Sequence, residues 1–271
     1  MLIAWNGETM PSLPLSDELV VVGSAGYGGL ELFVPKLAPF LESHSAEDLA
    51  RRLRAQRLAA IAMNGIENFS LRSPAEFAQI EKDCAWLAQL SEAIGCPCIV
   101  VVPSPRPEGM SWAAVKDATV EALRKLADVA APCGVKLAFE FLAPANCSVR
   151  TLAQGWEIVQ ATGRENVGLV LDTYHFFVGG SSWESLEEVD MDRLFLMHLN
   201  DVDDLPLEKL SDGDRLLPGE GILPLGRILA SLKARGYNGA YSLEVMRLAY
   251  RRRDPLEYAR AGKEAIERVL R

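Results

Sequence analysis

The sequence predicts an α/β protein of the (β/α)8 TIM-barrel class, a single domain over residues 1–271. Three observations carry that expectation. Short apolar runs rich in Val, Ile, Leu and Phe alternate with longer segments of helical periodicity, as parallel strands joined by helical crossovers do. No Ser/Pro/Gly-rich linker divides the series, and about eight strand–helix units in roughly 250 residues is what a closed barrel requires. An open doubly wound sheet would carry a glycine-rich phosphate turn after its first strand, but that position reads WNGETM.

The expected strands are LIAWN (2–6), GLELFV (29–34), LAAIAMN (58–64), CIVVVPS (98–104), VKLAFEFL (135–142), VGLVLDTYH (167–175), LFLMHLND (194–201) and AYSLEVM (240–246). Helical periodicity is clearest over 45–56, 74–95, 112–134 and 223–236. Ser45 with Asp48, and Ser73 with Glu76, have the spacing of a side-chain N-cap answered by an acidic first turn. Gly95, Gly134 and Gly236 stand where a helix must leave through a left-handed residue. GYGG (26–29) precedes a strand and reads as a helix-to-strand turn.

Composition narrows the function classes. A net charge of −9 argues against a nucleic-acid binder, because phosphate backbones demand clustered Lys and Arg. The one dense basic run, Arg251-Arg252-Arg253, reads as a solvated loop before the last helix. The five cysteines are odd in number and scattered, which suits buried thiols in a reducing compartment. Neither a secretory signal nor an apolar run long enough to span a membrane is visible, so a cytoplasmic location is expected.

Chemistry concentrates in the second half. Glu140 in LAFEFL, Asp172 in LVLDTYH, His198 in LMHLND and Glu244 in SLEVM each fall near the C-terminal end of an expected strand, inside an otherwise apolar run. A charge there costs several kcal/mol unless it is paired or bound to a cation. In a barrel the C-terminal strand ends converge on one mouth, so the four side chains are expected to meet. Three carboxylates and one imidazole form a ligand set for one divalent ion, with Mn²⁺, Zn²⁺, Co²⁺ and Mg²⁺ all acceptable. His175, three positions past Asp172 where the strand gives way to a loop, and Arg215, in DGDRLLPGEG, are expected substrate contacts. His44 reads as a surface residue.

The runs KLAFEFL, NVGLVLDTYHFFVGG, HLND, DRLLPGEG and SLEV, in that order, resemble the xylose isomerase-like sugar isomerase/epimerase superfamily, above all its inosose-isomerising members. The resemblance spans almost the whole chain and is densest from Gly134 to Glu244. It implies metal ligands at Glu140, Asp172, His198 and Glu244, the two glutamates doubling as acid and base, and substrate contacts from His175 and Arg215. The implied reaction is α-proton transfer through an enediolate of a non-phosphorylated polyol ketone. Two departures bear on the substrate: Phe177 stands where the family's inosose isomerase tends to carry a second histidine, and the loop GIENFSLRSP (65–74) is diverged.

Ketose 3-epimerisation and dehydroshikimate dehydration begin with the same proton removal and stay open, as does a sugar-binding barrel without catalysis. A DNA-repair endonuclease on this barrel needs a trinuclear zinc cluster, for which three histidines are too few. The expected partner is a small polyol or ketose, with no nucleic acid and no membrane; self-association into a homo-oligomer is left open.

Overall fold

A computed structural model describes residues 1–271. Its parallel strands are β1 (Leu2–Asn6), β2 (Gly29–Phe33), β3 (Ala59–Ile66), β4 (Cys98–Val101), β5 (Lys136–Glu140), β6 (Val167–Asp172) and β7 (Leu194–Leu199). β8 (Asp201–Val202) and β9 (Arg215–Leu216) then pair as a small antiparallel hairpin, and β10 (Ala240–Leu243) closes the barrel between β7 and β1. The expected (β/α)8 barrel is therefore observed, with each strand hydrogen-bonded to its chain neighbours.

Strand alternation decides which side chains reach the site. In β5, Leu137 and Phe139 pack outward under the helices, whereas Ala138 lies inside the barrel and so sets Glu140, two residues on, on the inner face. The same count from Val170 puts Asp172 inside, from Leu196 it puts His198 inside, and from Ala240 it puts Ser242 and then Glu244 inside. The barrel interior is filled by small or branched residues, among them Ala4, Ala62, Ala138 and Ala240, and the larger apolar cluster lies between strands and helices. With little bulk inside, the polar residues at the upper strand ends can approach one another.

Helix punctuation follows the expected chemistry. Ser45 and Ser73 each form a reciprocal capping box, with Asp48 and Glu76 respectively. Gly95, Gly134 and Gly236 have φ of 73°, 67° and 82°, left-handed values that glycine adopts without a Cβ clash. Helices Leu15–Ser24, Leu152–Thr162 and Pro255–Val269 complete the outer ring.

Several boundaries differ from expectation. β6 stops at Asp172, because its carboxylate caps a short helix, Thr173–Val178, by accepting the His175 amide at 2.8 Å. His175 therefore sits on a helical turn and not in a loop. β10 ends at Leu243, one residue before Glu244. Cys96 lies ahead of β4 and packs outside the barrel, while Cys98 packs inside; all five cysteines are free. The basic run is not uniformly solvated: Arg252 and Arg253 are exposed, but Arg251 ends a helical turn and binds backbone carbonyls of the β1 loop. His44 is partly buried, its ring stacked 4.4 Å from that of Phe40. No helix is long and apolar enough to cross a membrane.

Candidate metal centre

Glu140, Asp172, His198 and Glu244 are brought together at the mouth of the barrel, each buried, with one potential ligand atom apiece lying within 4.8 Å of the others. His198 is the hub. Its Nδ1 stands 2.9 Å from Glu140 Oε1, 3.2 Å from Glu244 Oε2 and 4.0 Å from Asp172 Oδ2. Its Nε2 points the other way, 3.0 Å from Oε1 of the buried Glu31, whose Oε2 accepts the Ser242 hydroxyl at 2.6 Å. Glu31 and Ser242 thus orient the imidazole so that Nδ1 faces the carboxylates.

Two of the carboxylates share one guanidinium nitrogen. Asp172 Oδ2 accepts Arg215 Nη1 at 2.7 Å and Asn200 Nδ2 at 2.9 Å, while Oδ1 caps the helix. Glu244 accepts Asn6 Nδ2 at 2.8 Å on one oxygen and Arg215 Nη1 at 2.9 Å on the other. Arg215 is wholly buried, lies over the Tyr174 ring with its carbon 4.7 Å from the centroid, and also donates to Asp212. It reaches the site because β9 pairs with β8, with Val202 opposite Arg215. The counter-ion of Asp172 and Glu244 thus comes from this hairpin and not from a strand end.

His175 is packed between Ala143 and Arg215. The Ala143 amide, 3.2 Å from Nδ1, and the Arg215 guanidinium on the opposite side can only donate, so the neutral ring accepts from one of them on its single bare nitrogen. Nε2 lies 3.2 Å from Arg215 Nη2, and the ring lines the mouth cavity. Burial pushes His175 down to about 4, in keeping with a neutral ring.

Burial raises Glu140 and pushes Glu244 up to about 7, each opposed by His198. Burial acts against ionisation of Asp172 too, but Arg215, His175 and His198 hold it well below the usual carboxylate range. His198 goes well above its ordinary value despite burial, because Glu244, Glu31 and Glu140 surround it. A cluster that favours an imidazolium proton at its centre is one that a divalent cation suits. The spacing fits as well: ligands on opposite sides of one ion at about 2.1 Å each are about 4.2 Å apart. The four residues can therefore hold one divalent metal ion.

Above them lies a cavity of about 240 Å³, lined by Glu140, Glu244, His175 and Arg215 together with Glu8, Asn64, Glu67 and Asn68 on the β1 and β3 sides. The structure thus places His175 and Arg215 beside the four expected ligands. Glu31, Asn6 and Glu8 had not been singled out. Glu31 carried the same signal as the others, a lone acid at an inward position of an apolar strand, but in the first half of the chain. Asn6 and Glu8 gave no such contrast, since WNGETM reads as an ordinary polar turn.

Comparison with known proteins agrees with this geometry. Residues 20–269 match the model of the xylose isomerase-like TIM barrel family. The inosose isomerase of Halalkalibacterium halodurans is 32% identical over 272 residues, covering 100% of this chain and 96% of that protein. That of Bacillus velezensis is 33% identical over 263 residues, covering 97% and 94%. The crystal structure of the IolI protein with a bound zinc atom superposes with a TM-score of 0.96 at 31% identity, covering 100% of this chain and 98% of the other.

Proposed function

Because the chain belongs to the xylose isomerase-like TIM barrel family, we propose that it is a metal-dependent isomerase of an uncharged polyol ketone, an inosose, acting by α-proton transfer between Glu140 and Glu244. The observation that carries this reading is the convergence of two buried glutamates on one cation-ready cluster at the floor of a cavity. Binding alone needs no such pair. A divalent ion at Glu140, Asp172, His198 and Glu244, whether Mn²⁺, Zn²⁺, Co²⁺ or Mg²⁺, would polarise the ketone and acidify the neighbouring C–H.

The protein's own groups divide the remaining work. One glutamate takes the α-proton and the other delivers a proton to the adjacent carbon, so that ketone and alcohol exchange places through an enediolate. Glu244 is gripped by Asn6 and Arg215, whereas Glu140 has only His198 as a hydrogen-bonding partner. Glu140 is thus the freer of the two to follow a moving proton. His175 lines the cavity and is placed to contact a substrate oxygen.

An uncharged substrate is supported by the cations available. Arg215 is the one Lys or Arg lining the cavity, and Asp172, Asp212 and Glu244 already engage it. A ring bearing carboxylate or phosphate finds no free counter-ion there, which favours inosose over dehydroshikimate. A cytoplasmic role in inositol breakdown belongs to the same reading, supported by five free thiols.

The test is incubation of metal-reconstituted protein with a panel of inososes, ketohexoses and dehydroshikimate in deuterated water. Inosose interconversion with deuterium entering the α-carbon is expected, and loss of both after chelation. Turnover of dehydroshikimate alone would replace this reading; full activity after chelation, with no metal released, would remove the cation.

A further inference from the structure

The segment that follows β1, Gly7–Thr9, forms one wall of the mouth cavity and is fastened from several sides. The buried Lys36 Nζ donates to Gly7 O and Met10 O, each at 2.8 Å, and to Glu18 Oε1 at 2.7 Å. Arg251 donates from Nη2 to Glu8 O at 2.8 Å and from Nε to Thr9 O at 3.0 Å. Thr9 Oγ1 donates to Leu243 O at 3.0 Å, and the Glu8 amide donates to Asn6 Oδ1 at 2.9 Å.

Together these bonds anchor the segment through its backbone and the Thr9 side chain, and none engages the Glu8 carboxyl. That group projects from a rigid turn into the cavity with no protein hydrogen-bond donor upon it. A half-buried carboxyl without a donor is costly until something supplies one, and a preorganised acceptor loses little entropy when a ligand arrives. Its two oxygens match two hydroxyls on neighbouring carbons.

We propose that Glu8 is a specificity-determining residue that binds adjacent hydroxyls of an uncharged polyol held in the cavity it shares with Glu140 and Glu244. The proposal rests on reading the cavity as the substrate site. It does not depend on the charge of Glu8: a carboxylate accepts from both hydroxyls, and a carboxylic acid accepts from one and donates to the other.

The test is calorimetric binding of myo-inositol and its monodeoxy analogues to metal-reconstituted wild type, Glu8→Gln and Glu8→Ala, with inosose turnover followed in parallel. In Glu8→Ala the Kd for myo-inositol is expected to rise about 10- to 100-fold, with Glu8→Gln in between and a melting temperature no lower than that of wild type in both. Wild type is expected to discriminate against one or two adjacent deoxy positions, and Glu8→Ala to lose that discrimination, an effect that a merely structural role would not produce. Equal Kd values in wild type and Glu8→Ala, equal loss for every deoxy analogue, or no binding of myo-inositol by wild type each overturn the proposal. If wild type turns over inosose and Glu8→Ala does so equally well, the role of Glu8 falls while the isomerase reading stands. If wild type turns over no inosose yet binds myo-inositol in a Glu8-dependent way, the isomerase reading falls and Glu8 stands.

Discussion

Glu31 Oε1 lies 3.0 Å from Nε2 of His198, on the side of the ring facing away from Glu140 and Glu244. The contact settles which nitrogen is presented to the carboxylates, and a second-layer partner of this kind commonly governs ligand affinity. Replacing Glu31 with alanine is expected to weaken zinc binding by about 10- to 100-fold, and with glutamine by less. Competition against a chromophoric chelator measures it; unchanged affinity in Glu31→Ala removes Glu31 from the account of the site.

Glu140→Gln and Glu244→Gln are expected to slow solvent-deuterium exchange at the substrate α-carbon by about 10²- to 10⁴-fold, the usual worth of a positioned acid or base. Circular dichroism should show an intact barrel in both. Wild-type exchange in both variants would sink the proton-transfer assignment.

Arg215 is the buried counter-ion of Asp172 and Glu244. Truncation to alanine leaves these carboxylates uncompensated and is expected to cost about 3–5 kcal/mol in metal-free protein. A divalent ion should restore part of that loss, so the stabilisation gained on adding metal grows in the variant. Urea unfolding with and without zinc reads both effects; identical midpoints in variant and wild type contradict the assignment.

Away from the site, burial pushes Glu18 up to about 7, although Lys36 and Trp5 donate to it. Below pH 4.5 the group is protonated in folded and unfolded chains alike. Between about 4.5 and 7 the unfolded chain releases the proton first, so rising pH favours unfolding, by on the order of 3 kcal/mol once pH passes the folded value. A carbon-13 titration of the Glu18 carboxyl should have its midpoint near 7, and unfolding free energies of Glu18→Gln should lack this decline. A midpoint at the ordinary glutamate value refutes it.

Much of the site was legible because strand alternation has a period of two: an acid or histidine inside an apolar strand must face either the core or the barrel mouth. That logic marked Glu140, Asp172, His198 and Glu244, and applied to GLELFV it marks Glu31 as well. The hairpin that folds Arg215 back to Asp172 was not legible, since no local pattern links positions 172 and 215. Nor was the six-residue helix Thr173–Val178, which is too short to show periodicity and exists because a strand-end aspartate doubles as its cap. Helix Leu15–Ser24 escaped for a different reason: its run LVVV lacks the polar face that betrays an amphipathic helix.

The seam between β1 and β10 has a consequence of its own. Asn6 on one side binds Glu244 beyond the other, Thr9 binds Leu243, and Arg251 reaches back to Glu8. Because these contacts also shape the cavity wall, the two seam strands cannot separate without dismantling it. A ligand held in the cavity is therefore expected to slow amide hydrogen exchange most in Leu2–Asn6 and Ala240–Leu243, where opening would cost it its binding wall.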